Sequence, residues 1–147
     1  MLRVPLHQLD ARLPVPRYAR TGDAGADLLA RSDVVLASRG GRAAVSTGVV
    51  VAIPVGYAGL VLPRSGLALR HGVTCLNAPG LVDAGYRGEL QVVLVNHDPE
   101  HDYAVSRGDR IAQLVLVRVE EVAFELVGEE GLGESERGAG GFGHTGT

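Results

Sequence analysis

The 147-residue chain is 46% hydrophobic and 21% charged with a formal net charge of -3, which fits one globular domain with its own core and argues against a general nucleic-acid binder. Its 14 basic residues are all arginine, so neither a P-loop lysine nor a Schiff-base lysine is available. The single cysteine, Cys75, excludes an internal disulfide, and the five histidines show no zinc-ligand spacing.

The first residues, MLRVPLHQLDARL, lack a basic region followed by a continuous apolar run, so no secretory leader is expected and the cytoplasm is the default compartment. TGDAGADLLA (21–30) reads as a small-residue turn with capping aspartates, Asp23 and Asp27, leading into a strand. Further strands are expected at AAVSTGVVVAI, YAGLVL, LQVVLVN, RIAQLVLVRV and VAFELV, all valine-rich and bounded by turn residues. Turn signals recur at 38–41, 54–56, 96–102 and 106–109. The most apolar stretch is broken by Pro54, Gly56 and Gly59 and cannot span a membrane. One short helix is expected at SGLALRHG (65–72), with Ser65 at the N-cap and Gly72 as the stop. From about Gly128 the chain turns to Gly, Glu and Ser and loses any core-forming pattern. The expected architecture is all-β, a sandwich or jelly roll with one short helix.

Three segments carry candidate chemistry. PRSGLA (63–68) follows a strand and opens the helix, so free backbone N–H groups, the Ser65 hydroxyl and the Arg64 fork would suit a phosphate beside Gly66. The same letters also describe an ordinary N-cap next to a surface arginine. NAPGLVDAGYRGEL (77–90) sets Asp83 among apolar neighbours ahead of Tyr86. Such a carboxylate is costly to bury unless it is paired or serves as a base, although a β-hairpin whose Asp accepts turn hydrogen bonds reads the same way. RGDRIAQLVL (107–116) places Gln113 inside an apolar strand, where an amide needs partners. Its RGD, without a secretory signal, does not suggest adhesion. The ending RGAGGFGHTGT contains G-x-G-x-x-G, but no strand precedes it and no helix has room to follow, so it is no dinucleotide fingerprint.

Taken in order, GDAGADLLA, PRSGLA, NAPGLVDAGYRGEL, RGDRIAQLVL and RGAGGFGHTGT resemble the five motifs of the homotrimeric deoxyuridine triphosphate nucleotidohydrolases (dUTPases) over nearly the whole chain. The resemblance implies a distorted jelly roll in residues 1–127 and a flexible arm in 128–147. It implies a homotrimer with active sites shared between subunits, and hydrolysis of dUTP to dUMP and pyrophosphate. That reaction keeps uracil out of DNA and supplies dUMP for thymidylate synthesis. Mg²⁺ would arrive chelated by the triphosphate, with Asp27 holding one water of its shell.

By the same resemblance Asp83 would activate the water that attacks the α-phosphorus. Arg64, Ser65 and Gly66 would hold the phosphate chain, and Gln113 would contact the α-phosphate or its waters. The segment containing Asn77, Leu81, Val82 and Gln91 would receive deoxyuridine, with Tyr86 against the deoxyribose. In the tail, Arg137 would reach the γ-phosphate and Phe142 would stack over uracil, and Gly143, His144 and Thr145 would wrap the phosphates. The chain departs from the common pattern at Gly85, where a second acid is frequent, at Gln91, where a basic residue is frequent, and at His144, where a hydroxyl is usual. A dCTP deaminase, or a bifunctional deaminase and dUTPase, would need a glutamate late in the strand LQVVLVN, which has none. A non-catalytic nucleotide-binding trimer would need neither Asp83 nor the tail.

Overall fold

The structure, a computed structural model of the single chain, describes residues 1–136 and 138–140. Among these, eleven strands and one short α-helix are ordered as β1 (Leu6–Gln8), β2 (Ala26–Leu29), β3 (Val34–Leu36), β4 (Gly41–Ser46), β5 (Val49–Val51), β6 (Tyr57–Leu62), α1 (Ser65–His71), β7 (Val73–Cys75), β8 (Gly80–Val82), β9 (Gln91–Asn96), β10 (Tyr103–Val105) and β11 (Arg110–Arg118). A 3-10 turn follows at Glu129–Leu132. The all-β expectation holds, and YAGLVL forms a strand over the residues expected. AAVSTGVVVAI instead breaks into two strands at Thr47–Gly48, where the buried Gly48 turns with a φ of 77°.

Two sheets carry the fold: a four-stranded one in the order β2-β11-β6-β8 and a three-stranded one in the order β4-β9-β7. Their inner faces meet through Leu28, Val61, Val82, Ile111 and Leu114 on one side and Val45, Val73, Cys75, Val92 and Leu94 on the other. The β1–β5 and β3–β10 ribbons close the ends, giving a distorted jelly roll. Leu28 is fully buried, so its truncation to alanine would cost about 2–5 kcal/mol.

Two local expectations need correction. Ser65 is the first helical residue and the extended Arg64 is the N-cap, without a side-chain capping bond. Gly72 does end the helix, in the left-handed conformation at φ 63°. VAFELV (122–127) is no strand: it finds no ladder partner among the described residues, and Phe124 and Leu126 are fully exposed. Its valines and apolar character suggested a strand, but a strand forms only against a neighbour. No helix among the described residues is long and apolar enough to cross a membrane.

Candidate active site

The candidate residues fall into two groups, placed at opposite ends of β6. The first group sits where β6 runs out into α1. Antiparallel pairing of β11 with β2 sets Gln113 beside Asp27, and pairing with β6 sets Gln113 beside Leu62. The β11–β2 register slips between Arg110 and Ala112, which aligns Arg110 with Leu29 at the end of the ladder. Asp27 therefore lies between two guanidinium groups, 3.4 Å from Arg64 Nε and 3.7 Å from Arg110 Nη1. Arg64 Nη1 also donates to the Arg110 carbonyl at 3.1 Å. Asp27 is thus more than the capping residue its sequence context suggested, whereas Asp23 does cap its turn by accepting the Arg20 N–H at 2.8 Å.

Despite those two ion pairs, Asp27 Oδ1 is buried and accepts no hydrogen bond among the described residues. Such an oxygen is prepared to accept from a water or another donor brought by a ligand. A cavity of about 420 Å³ opens beside it, lined by Arg17, Tyr18, Leu29 and Arg110 among others. The half-buried Gln113 is packed against Gly25, where a Cβ would stand 3.0 Å from its own Cβ. Its amide makes no hydrogen bond with the described residues, so structural satisfaction does not account for it. Ser65 is exposed, and Gly66 lies under the Arg70 guanidinium, whose nearest nitrogen would be 2.9 Å from an added Cβ. Arg70 and Arg110 were not singled out from sequence; their only signal was arginine beside one recognised motif and within another.

The second group lies at the other end. β8 pairs with β6, and β9 pairs with β4 and β7, so the segment between β8 and β9 crosses from one sheet to the other. It is a crossover, not the β-hairpin expected from its sequence. The crossing leaves a cavity of about 190 Å³ lined by Leu81, Val82, Asp83, Tyr86, Leu90 and Gln91. Asn77 is not part of that lining; its side-chain amide rests over Gly80 instead. Asp83 is exposed, not buried in apolar company, because its flanking apolar residues point elsewhere: Val82 goes into the core and Leu81 to the surface. Its carboxylate has no hydrogen bond or ion pair with the described residues. It also borders a second cavity of about 450 Å³ that runs past Tyr57, Ala58 and Val119.

Tyr86 is held from several sides. Its hydroxyl donates to the Glu89 carbonyl at 2.9 Å, and its N–H donates to the Asp83 carbonyl at 3.1 Å. The ring folds back over Gly88 so closely that a Cβ there would collide with the hydroxyl oxygen. Arg87 curls onto the same turn, donating to the Ala84 and Tyr86 carbonyls at 2.6 and 2.7 Å. Gly85 has open space where a side chain would project.

The separation of the groups follows from the β6–β8 ladder. Val82 pairs with Gly59, which places Asp83 level with Ala58, while Arg64 lies six residues further along the same strand direction. At about 3.3 Å per residue the two are roughly 20 Å apart. Arg137, Phe142, Gly143, His144 and Thr145 lie outside the described residues.

The sequence profile of the dUTPase family matches residues 11–146. The chain belongs to the dUTPase family. Curated relatives named deoxyuridine 5'-triphosphate nucleotidohydrolase are 60% identical in Thermobifida fusca, over 99% of this chain and 79% of that protein, and 55% identical in Nocardia farcinica, over 97% and 85%. Among solved structures, a mutant dUTPase of Staphylococcus bacteriophage 80alpha with dUpNHpp superposes with a TM-score of 0.87 at 28% identity over the full length of both chains. A mutant dUTPase from phage phi11 of S. aureus, whose structure details the coordination of a structural Mg(II) ion, reaches 0.77 at 26% identity over 87% of this chain and 98% of its own. The chain is accordingly an enzyme of the nucleotidohydrolase class.

Proposed function

We propose that this dUTPase-family chain hydrolyses dUTP to dUMP and pyrophosphate, with Asp83 as the general base. The observation that carries the reading is the state of Asp83: exposed, without a partner among the described residues, and set between two cavities on a turn whose tyrosine is fixed in place. A water held by this carboxylate attacks the α-phosphorus. The new P–O bond forms as the bond to the bridging oxygen of the β-phosphate breaks, and the proton passes to Asp83 and then to solvent. Leu81, Val82, Tyr86 and the backbone near Gln91 receive deoxyuridine, and Tyr86 leaves no room for a 2′-hydroxyl. Asn77 would contribute only if the turn closes further on substrate. The likeness to a phage dUTPase holding dUpNHpp, a dUTP analogue, supports a dUTP-shaped ligand.

The charges on the phosphate chain fall to the other group. Arg64, Ser65 and Gly66 hold it, and Gln113 reaches the α-phosphate or its waters. A single chain cannot bring these residues to Asp83 across roughly 20 Å of β6, so the complete site draws Asp83 from one copy and Arg64 from another. A homotrimer with shared sites meets that need. The fully exposed Phe124 and Leu126 support assembly, as does an apolar cavity of about 540 Å³ over Leu6, Val51, Ile53 and Leu114. Residues 1–127 form the body, and 128–147 the arm that brings Arg137, Phe142, Gly143, His144 and Thr145 over the substrate. The placement is cytoplasmic.

Mg²⁺ fits the first group. No cluster of three metal-ligating side chains occurs among the described residues, and magnesium prefers phosphate oxygens, waters and few carboxylates. The Oδ1 of Asp27, which accepts no hydrogen bond among the described residues, suits one water of such a shell. Bound with the triphosphate, the ion would offset phosphate charge. β9 has no carboxylate, so the deaminase alternative lacks its acid. Pyrophosphate release from dUTP, dCTP, dTTP and UTP with Mg²⁺ tests the assignment: rapid release from dUTP and little from the others is expected. Comparable turnover of all four would sink it.

A further inference from the structure

The crossover that presents Tyr86 is fastened to the body at a point no motif reading had singled out. The peptide joining Glu89 to Leu90 carries two opposed hydrogen bonds: the Leu90 N–H donates to the Val49 carbonyl at 2.8 Å, and the Glu89 carbonyl accepts the Tyr86 hydroxyl at 2.9 Å. The Leu90 carbonyl accepts from Thr47, through its N–H at 3.2 Å and its hydroxyl at 2.7 Å. On the other side of this peptide, the Glu89 carboxylate accepts the N–H of the buried Gly48 at 2.7 Å. The Arg31 guanidinium lies 3.4 Å from the same carboxylate and is part of a group in which Asp10 pairs with Arg107 at 2.6 Å.

We infer that Glu89 is a positioning residue for sugar discrimination: its carboxylate, through the Gly48 N–H, fixes the carbonyl to which Tyr86 is tied. This rests on the reading that Tyr86 faces the deoxyribose. The physical ground is reach, not charge. The Gly48 N–H is buried, so it needs an acceptor, and only a side chain of glutamate's length at position 89 supplies one here. The Arg31 contact is long and partly exposed, so it adds little. With the carboxylate withdrawn, the segment keeps its Leu90 bonds to Val49 and Thr47 but loses the side-chain tie on the Glu89 side, so the carbonyl that holds Tyr86 can tilt and the ring can move outward. A misplacement of about 1 Å at a positioning group can cost up to about 10²-fold in rate.

Three substitutions separate the possibilities. Glu89→Gln keeps the reach and loses the charge, Glu89→Asp keeps the charge and loses the reach, and Glu89→Ala loses both. The measured quantity is the ratio of kcat/KM for dUTP to that for UTP in the full-length protein, with hydrogen exchange at the Gly48 amide read alongside. Glu89→Gln is expected to keep the wild-type ratio and a protected Gly48 amide. Glu89→Asp and Glu89→Ala should lower the ratio roughly tenfold, mainly through KM for dUTP and gained UTP turnover, with a faster-exchanging amide. Equal ratios in all four proteins would overturn the inference, as would a ratio lost in Glu89→Gln and kept in Glu89→Asp. Should Glu89→Ala fail to fold, the Gln and Asp pair decides alone. A wild type that does not prefer dUTP over UTP at all would count against the functional reading itself, before any variant is compared.

Discussion

The two ends of β6 handle polar groups in opposite ways. At the Arg64 end, charges are paired before any ligand arrives: Asp27 is shared by Arg64 and Arg110, and Arg64 is further tied to the Arg110 carbonyl. At the Asp83 end the carboxylate has no partner among the described residues, and what is rigid is the hydrogen-bonded scaffold of Tyr86, Gly88 and Glu89 around it. On the proposed function, the contrast suits two kinds of task. Groups that hold a highly charged chain must be kept from collapsing or swinging away when it is absent, and a shared counter-ion does this, at a desolvation cost its pairing offsets. A base must stay free to take a proton, so only its surroundings are fixed.

The contrast is tested most severely at Asp83. Asp83→Asn should lower kcat for pyrophosphate release by about 10²–10⁴-fold while dUTP binding, followed by calorimetry, stays close to normal. A kcat within a fewfold of wild type would remove Asp83 from the role of base. Asp27→Asn should act more mildly and on a different constant. With Arg64 and Arg110 left without their shared carboxylate, KM for dUTP is expected to rise about tenfold and kcat to fall less. If kcat instead fell as far as in Asp83→Asn, the division of labour between the two ends would fail.

The smallest effect concerns Cys75, in the core just before the chain leaves β7 for Asn77 and the crossover. Burial pushes its thiol from 9.0 up to about 11. Above pH 9 the thiol of the unfolded chain ionises while the folded one stays protonated, so this contribution to stability is full below pH 9 and declines between pH 9 and 11. Since the chain has no lysine, little else titrates there beyond its four tyrosines. Denaturant midpoints at pH 8, 9 and 10 should therefore fall less steeply in Cys75→Ala than in wild type. Parallel slopes would mean that the scaffold beneath the crossover is more open than its burial indicates.

Much of this was legible in the sequence where chemistry and pattern are local. The β6 strand, the helix with its Gly72 stop, and the turns at 38–41 and 106–109 follow from short-range rules. So did the choice of Arg64 and Asp83 as residues to watch. What escaped depends on partners distant in the chain. VAFELV has a strand's valines but no neighbour to pair with among the described residues, and the segment around Asp83 has a hairpin's letters although its flanking strands join different sheets. The sharing of Asp27 between two arginines rests on a register slip in β11, which leaves no mark in composition. Glu89 carries no signal of its own, because its role is defined by a buried N–H 41 residues away.

The length of β6 also has a genetic consequence. If every site borrows its base from one copy and its phosphate grip from the next, a lesion at either end is never private to the chain that bears it. A copy defective at both Asp83 and Arg64 would damage two sites on joining two sound partners. Mixed expression of such a copy should therefore depress activity by more than its share of the protein, and a strand six residues long would be what makes the defect dominant.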